Sequence, residues 1–127
     1  MVRFALGAMM PRTEALPGVA DLELDPFVDR FWVDASWLFW IGAVGSCFAF
    51  MMSPLLTIYV PLPAALLSQS QLDRHAMEMA SHNLYVIRQA GMMVKMLAGL
   101  HWAATARVRR EFGLLPYPPD PETWRTS

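Results

Sequence analysis

Three histidines, one cysteine and a cluster of carboxylates are the residues of this chain whose types could do chemistry. His75 and His82 stand seven positions apart, two helical turns, so a helix would place them on one face. That pair could approach a metal or a haem, but one helix cannot ligate both faces of a haem. Surface positions, or hydrogen bonds to lipid or to a partner, are the expected roles of His75, His82 and His101. Cys47 lies inside the most apolar run and has no second cysteine to pair with, so it is read as a small buried apolar residue. No zinc spacing or haem-attachment motif surrounds it. Asp21, Glu23, Asp25, Asp29 and Asp34 alternate with Val19, Leu22, Leu24, Phe27, Val28 and Phe31. This pattern fits a short amphipathic helix better than a hard-metal loop, which gathers more oxygen ligands around a glycine turn. There is no Ser-His-Asp order, no nucleophile elbow and no phosphate loop; "IGAVGS" sits inside the apolar run and precedes no soluble helix. The expectation is that the chain is not an enzyme on its own, with no catalytic, cofactor-binding or metal-ligating residue.

The elements that would carry these residues are written in the hydropathy. The 127 residues are enough for one small domain; 55% are hydrophobic and 17% charged, and the net charge of −1 gives no field for nucleic acid. Residues 1–34 read as short N-terminal helices, the first stopped at "MMPR", with a turn at "LPG". The N-terminus does not read as a signal peptide. Asp25 before Pro26 fits an N-cap with proline at the first helical position, and a helix from about Pro26 to Val33.

No charged residue falls between Asp34 and Asp73. About 20 apolar residues span a bilayer, so the 35–60 segment predicts one transmembrane helix, roughly Ser36 to Ile58. Trp37 and Trp40 at one end and Tyr59 at the other would stand at the membrane interfaces. Gly42, Gly45 and Ser46 give a small-residue flank that another helix could approach. Pro54 should bend the last turns or end the helix.

Residues 61–113 begin with an elbow at Pro61 and Pro63, followed by capping boxes at Ser68/Gln71 and Ser70/Asp73. A helical region is expected from near Gln69 to about Ala103. Placed on one helix, Arg74, Ser81, Arg88, Lys95, Trp102 and Arg109 recur every seven residues as a thin polar stripe. Facing it are Met79, Leu84, Val86, Ile87, Ala90, Met93, Val94, Met96, Leu97 and Leu100. A mid-span charge such as Lys95 costs about 2.5–3.5 kcal/mol, so a helix lying in the interface or docked on a partner is favoured over a second span. Thr105 can cap a short helix through Phe112, with Gly113 past its end. Residues 114–127, with four prolines, Tyr117 and Trp124, predict an extended strap laid across a partner. The fold class is therefore all-α. Arg74, Arg88, Lys95, Trp102, Arg109, Tyr117 and Trp124 are the candidate partner or lipid contacts; Trp37, Trp40 and Tyr59 are the interface anchors. The distribution of basic residues leans toward a cytoplasmic C-terminal part.

Three groups of residues also carry a resemblance. "RTEALPGVADLELDPFVDRF" resembles the start of gluconate 2-dehydrogenase subunit 3-like proteins. "SPLLTIYVPLPAALL" and "LDRHAMEMASHNLYVIRQAGMMVKMLAGLHW" resemble small proteins, or N-terminal extensions, that accompany membrane-associated flavin-dependent dehydrogenases of the glucose–methanol–choline oxidoreductase family. "ARVRREFGLLPYPPDPETWR" is similar to their closing segment. The resemblance implies a non-catalytic subunit that anchors and stabilises a large FAD-bearing dehydrogenase, whose electrons pass to a cytochrome or quinone. FAD would then lie in the partner, with no cofactor on this chain alone and no catalytic residue carried over. The absence of a twin-Arg pair departs from exported members and puts a periplasmic placement in doubt. A single-pass protein of a bacterial inner membrane is the expected setting. The competing reading is a structural subunit of a photosynthetic or respiratory membrane complex, with Trp37, Trp40, Met51 and Met52 against pigments, lipids or neighbouring helices. A self-contained di-histidine haem protein is the third.

Overall fold

The apolar run does not form one rod. In the computed structural model, which describes residues 1–116 and Pro118, the chain folds into α1 (Val2–Met9), α2 (Asp25–Asp34), α3 (Trp37–Met52) and α4 (Pro54–Thr57). It continues as α5 (Gln69–Ser81), α6 (Tyr85–Ala104) and α7 (Ala106–Glu111). Short 3₁₀ turns stand at Val19–Asp21 and Ala64–Leu66. Among the described residues there is no strand, so the all-α expectation holds.

The expected span over Ser36–Ile58 is interrupted. Helix α3 starts where Ser36 accepts a hydrogen bond from the Phe39 N–H and stops at Ser53, before Pro54. Its 16 residues reach roughly 24 Å, short of the ~30 Å hydrocarbon core. No helix among the described residues is long and apolar enough to cross a membrane. The break is the work of Pro54, which has no N–H to give the Phe50 carbonyl and opens α4 instead, at its first position.

The helical region after the elbow is also divided. Ser68 does form the capping box with Gln71 that starts α5. The chain then turns extended at His82 and Leu84 before α6 begins. His82 holds this turn: Leu84 N–H donates to its Nδ1 (3.1 Å), and its Nε2 lies 3.3 Å from the Leu56 carbonyl. A local side-chain bond of this kind competes with helix continuation. Thus the stripe expected from Arg74 to Arg109 is spread over three helices and is not one face.

Helix α6 is the centre of the bundle and packs against α1, α3 and α5. Its buried Ala90, Gly91, Val94, Leu97, Ala98 and His101 keep helical spacing. Met79 of α5 meets Gly91 so closely that a Cβ there would lie 3.0 Å from the Met79 Cγ and 3.2 Å from its backbone carbon. From α1 come Ala5 and Leu6, and from α3 Ala43, Cys47 and Phe50, all in the same core. Cys47 is fully buried, as read from its surroundings in the sequence. The 10–18 loop is fixed by Asp21, whose carboxylate accepts from both Gly18 N–H and Arg12 Nε at 2.9 Å. These bonds, the Gly18 one first, hold the Asp21 carboxyl below the usual range.

Candidate functional site

Helix α3 is apolar on every side, and the bundle covers only one of them. Ala43, Cys47, Phe50 and the following Pro54 form the buried stripe. Around the axis from it, Trp37 (73% exposed), Ile41 (51%), Phe48 (57%) and Met52 (58%) form a second stripe with nothing from the described residues over it. Gly42 and Gly45 widen it, because a Cβ added at either meets no atom within 4 Å. Among the described residues nothing packs on Gly42 or Gly45. Leu55, Leu56 and Tyr59 carry the apolar surface past the Pro54 break. Tyr59 has a left-handed backbone (φ 60°) and is 83% exposed. Non-glycine residues pay strain for that conformation, here to hold a large aromatic ring out in solvent.

A second apolar strip lies on α6. Met92, Met96 and Leu100 are exposed on the side away from the core, with Leu84, Tyr85 and Val86 at the start of the helix. The single apolar face expected for this helix is thus two faces, one packed in the bundle and one open.

The cationic and aromatic contacts proposed from spacing fall into different surroundings. Arg74 and Lys95 are exposed. Arg88 is turned inward: its Nη1 donates to the His82 carbonyl (2.9 Å) and its guanidinium stands 5.7 Å from the centre of the Tyr85 ring. It caps the end of α5. Trp102 is half-buried and donates from Nε1 to the Pro17 carbonyl at 2.7 Å, with its ring edge on Phe112. It staples the 10–18 loop to α6, so its role within the described residues is internal. Arg109 Nε donates to the Leu115 carbonyl at 2.6 Å and holds the chain beyond Gly113, whose φ of 66° fits its place past the helix end. Tyr117 and Trp124, with most of the expected strap, lie outside the described residues. Of the interface anchors, Trp37 and Tyr59 are exposed; Trp40 is half-buried, edge-on to Trp32 at 4.4 Å.

Two of the three histidines, His75 and His101, are not the surface groups expected. His75 is fully buried. Its Nε2 lies 2.9 Å from the Phe50 carbonyl and its Nδ1 2.6 Å from Thr57 Oγ1. A carbonyl only accepts, so Nε2 carries the hydrogen and Nδ1 accepts from the Thr57 hydroxyl. His75 thereby gives the Phe50 carbonyl the donor that Pro54 cannot. Burial pushes its imidazole below the ordinary value, while the Phe50 bond works the other way. The sequence signal for this role was Pro54 itself, since a proline ending a buried helix leaves a carbonyl that some side chain must satisfy. His101 is buried against the Phe27 ring, and among the described residues its Nε2 has no partner. Burial lowers its pKa as well. Both ring nitrogens of His75 and of His82 are engaged inside the chain, so neither is poised toward a haem. Among the described residues no group of three or more His, Cys, Asp or Glu could hold a metal ion.

Compared with known protein families, with curated proteins and with solved structures, the chain matches none.

Proposed function

We propose that this chain is a non-catalytic anchoring and stabilising subunit, seated in the surface of a membrane and holding a larger partner there. The observation that carries the proposal is the uncovered stripe of Trp37, Ile41, Phe48 and Met52 on a helix without a charged residue. Contiguous apolar surface of this kind marks an interaction site. The uncovered side of α3 would then lie about 5–10 Å deep in the interface, with its other side packed on the bundle. The strained, outward Tyr59 and the terminal Trp37 suit the polar–apolar boundary, where one end of an aromatic ring is wet. Arg74 and Lys95 stay available for headgroups or for the partner.

The resemblance in the sequence makes a flavin-dependent dehydrogenase the partner to test first. FAD would belong to that partner. The test is affinity recovery of the tagged full chain from membranes. A co-purifying large subunit with a flavin absorbance supports the reading. Recovery with pigment or a set of many membrane subunits would replace the dehydrogenase by a photosynthetic or respiratory complex. Recovery as a lone chain with turnover of its own would overturn it.

A further inference from the structure

The bundle encloses a cavity of about 270 Å³ between α1, α2, α3 and α6. Leu6, Ala43, Cys47 and Leu97 form its inner walls and are all buried. Phe27 and Phe31 of α2 close one side. Trp32 and Trp40, edge to face, complete the lining, and Trp32 is 61% exposed, so the cavity opens past this pair. Protein interiors are normally packed without voids larger than a water molecule. An apolar void of this kind accepts apolar guests.

We propose that this cavity binds one unbranched acyl chain, which enters past Trp32 and Trp40 and leaves its polar head outside. Size and wall chemistry select that guest. At about 30 Å³ for a group the size of a water, the space holds roughly nine methylene-sized units. The volume lies at the foot of the range of drug-sized pockets, roughly 300–1,000 Å³, which favours a slim guest over a sterol or polycycle. Among the described residues the lining side chains are aliphatic, aromatic or thiol, and none is charged or amide-bearing, so a head group would lose its hydration there without return. A free fatty acid and a phospholipid tail share this chemistry. The inference is independent of the anchoring role: a chain seated on any surface could hold such a guest, and the test needs no partner.

The full chain, kept in a rigid bile-salt detergent, is titrated with ω-bromoundecanoic acid, whose bromine quenches indole fluorescence. Saturable quenching at one equivalent is expected. Ala43→Leu fills the inner wall and should abolish it, whereas Met77→Ser, on the exposed face of α5 and outside both the cavity and the apolar stripe, should leave it unchanged. Phosphatidylcholine brominated at its chain ends forms the second arm. Saturable, Ala43-dependent quenching in that arm alone names a membrane lipid as the source, and in the fatty-acid arm alone a free acid. Quenching without saturation, or equal loss in both variants, overturns the proposal. Cys47 gives a readout in the unmodified chain, because it is the sole cysteine and lines the cavity. Undecanoic acid should slow its reaction with methyl methanethiosulfonate several-fold; an unchanged rate would overturn the proposal even if Ala43→Leu does not fold.

Discussion

His75→Leu is the perturbation whose cost follows most directly from the geometry. The substitution keeps a bulky apolar group in the core but removes the Nε2–H that serves the Phe50 carbonyl. A buried acceptor left without a donor costs about 1–3 kcal/mol. The Thr57 hydroxyl loses little, because it turns its hydrogen to the Ser53 carbonyl at 3.1 Å. Burial of an imidazole is itself unfavourable, which offsets part of the loss, so a net destabilisation of about 1–2 kcal/mol is expected. The decisive control is Pro54→Ala, which restores a backbone N–H four residues after Phe50. In that background the loss from His75→Leu should shrink to about 0.5 kcal/mol or less, a coupling of about 1 kcal/mol. Denaturant unfolding of the four proteins in mild micelles, followed by tryptophan fluorescence, measures it. Additive effects of the two substitutions would refute the idea that His75 substitutes for the missing proline donor.

Acid should destabilise the fold through the same residue and through His101. Both have lowered pKa values in the folded chain, so the unfolded chain binds protons first as the pH falls through the ordinary histidine value near 6.5. Stability is then full above that value and declines below it, until the lowered folded pKa is reached, by at most about 1.4 kcal/mol per pH unit for each histidine. Unfolding midpoints at neutral and mildly acidic pH check this, and the double variant His75→Gln/His101→Phe should flatten the profile. Gly91→Val should cost about 1–3 kcal/mol by forcing α5 from α6, read as a lower denaturation midpoint. Gly42→Ala, with open space around it, should instead stabilise the isolated chain by about 0.5–1 kcal/mol; a loss there would mean that the flank is packed after all.

Local signals in the sequence translated well into structure. Ser68 and Gln71 start α5 as a reciprocal cap, Gly113 takes the left-handed backbone after α7, and Pro54 ends α3. What failed were the inferences that joined elements. A seven-residue recurrence from Arg74 to Arg109 reads as one stripe only if the helix is unbroken, and the His82 turn breaks it. Uniform hydropathy over 37–60 cannot tell lipid-facing from core-facing positions, and half of α3 turned out to face α6 and α1. Arg88 and Trp102 stand in that seven-residue recurrence, which does not reveal the bonds they make within the chain. Those bonds run to carbonyls at His82 and Pro17, the latter 85 positions away and invisible to any periodicity.

The measurement that bears most directly on the account is membrane retention of the full chain after an alkaline carbonate wash, with and without Ile41→Glu/Phe48→Glu. Each glutamate removes an exposed apolar group and places a charge where lipid would lie, at a cost of up to about 2–3 kcal/mol per site near the hydrocarbon. The unaltered chain should stay with the membrane and the double variant should appear, still helical, in the supernatant. Release of the unaltered chain, or retention of the variant, would contradict the claim that the uncovered side of α3 is its seat.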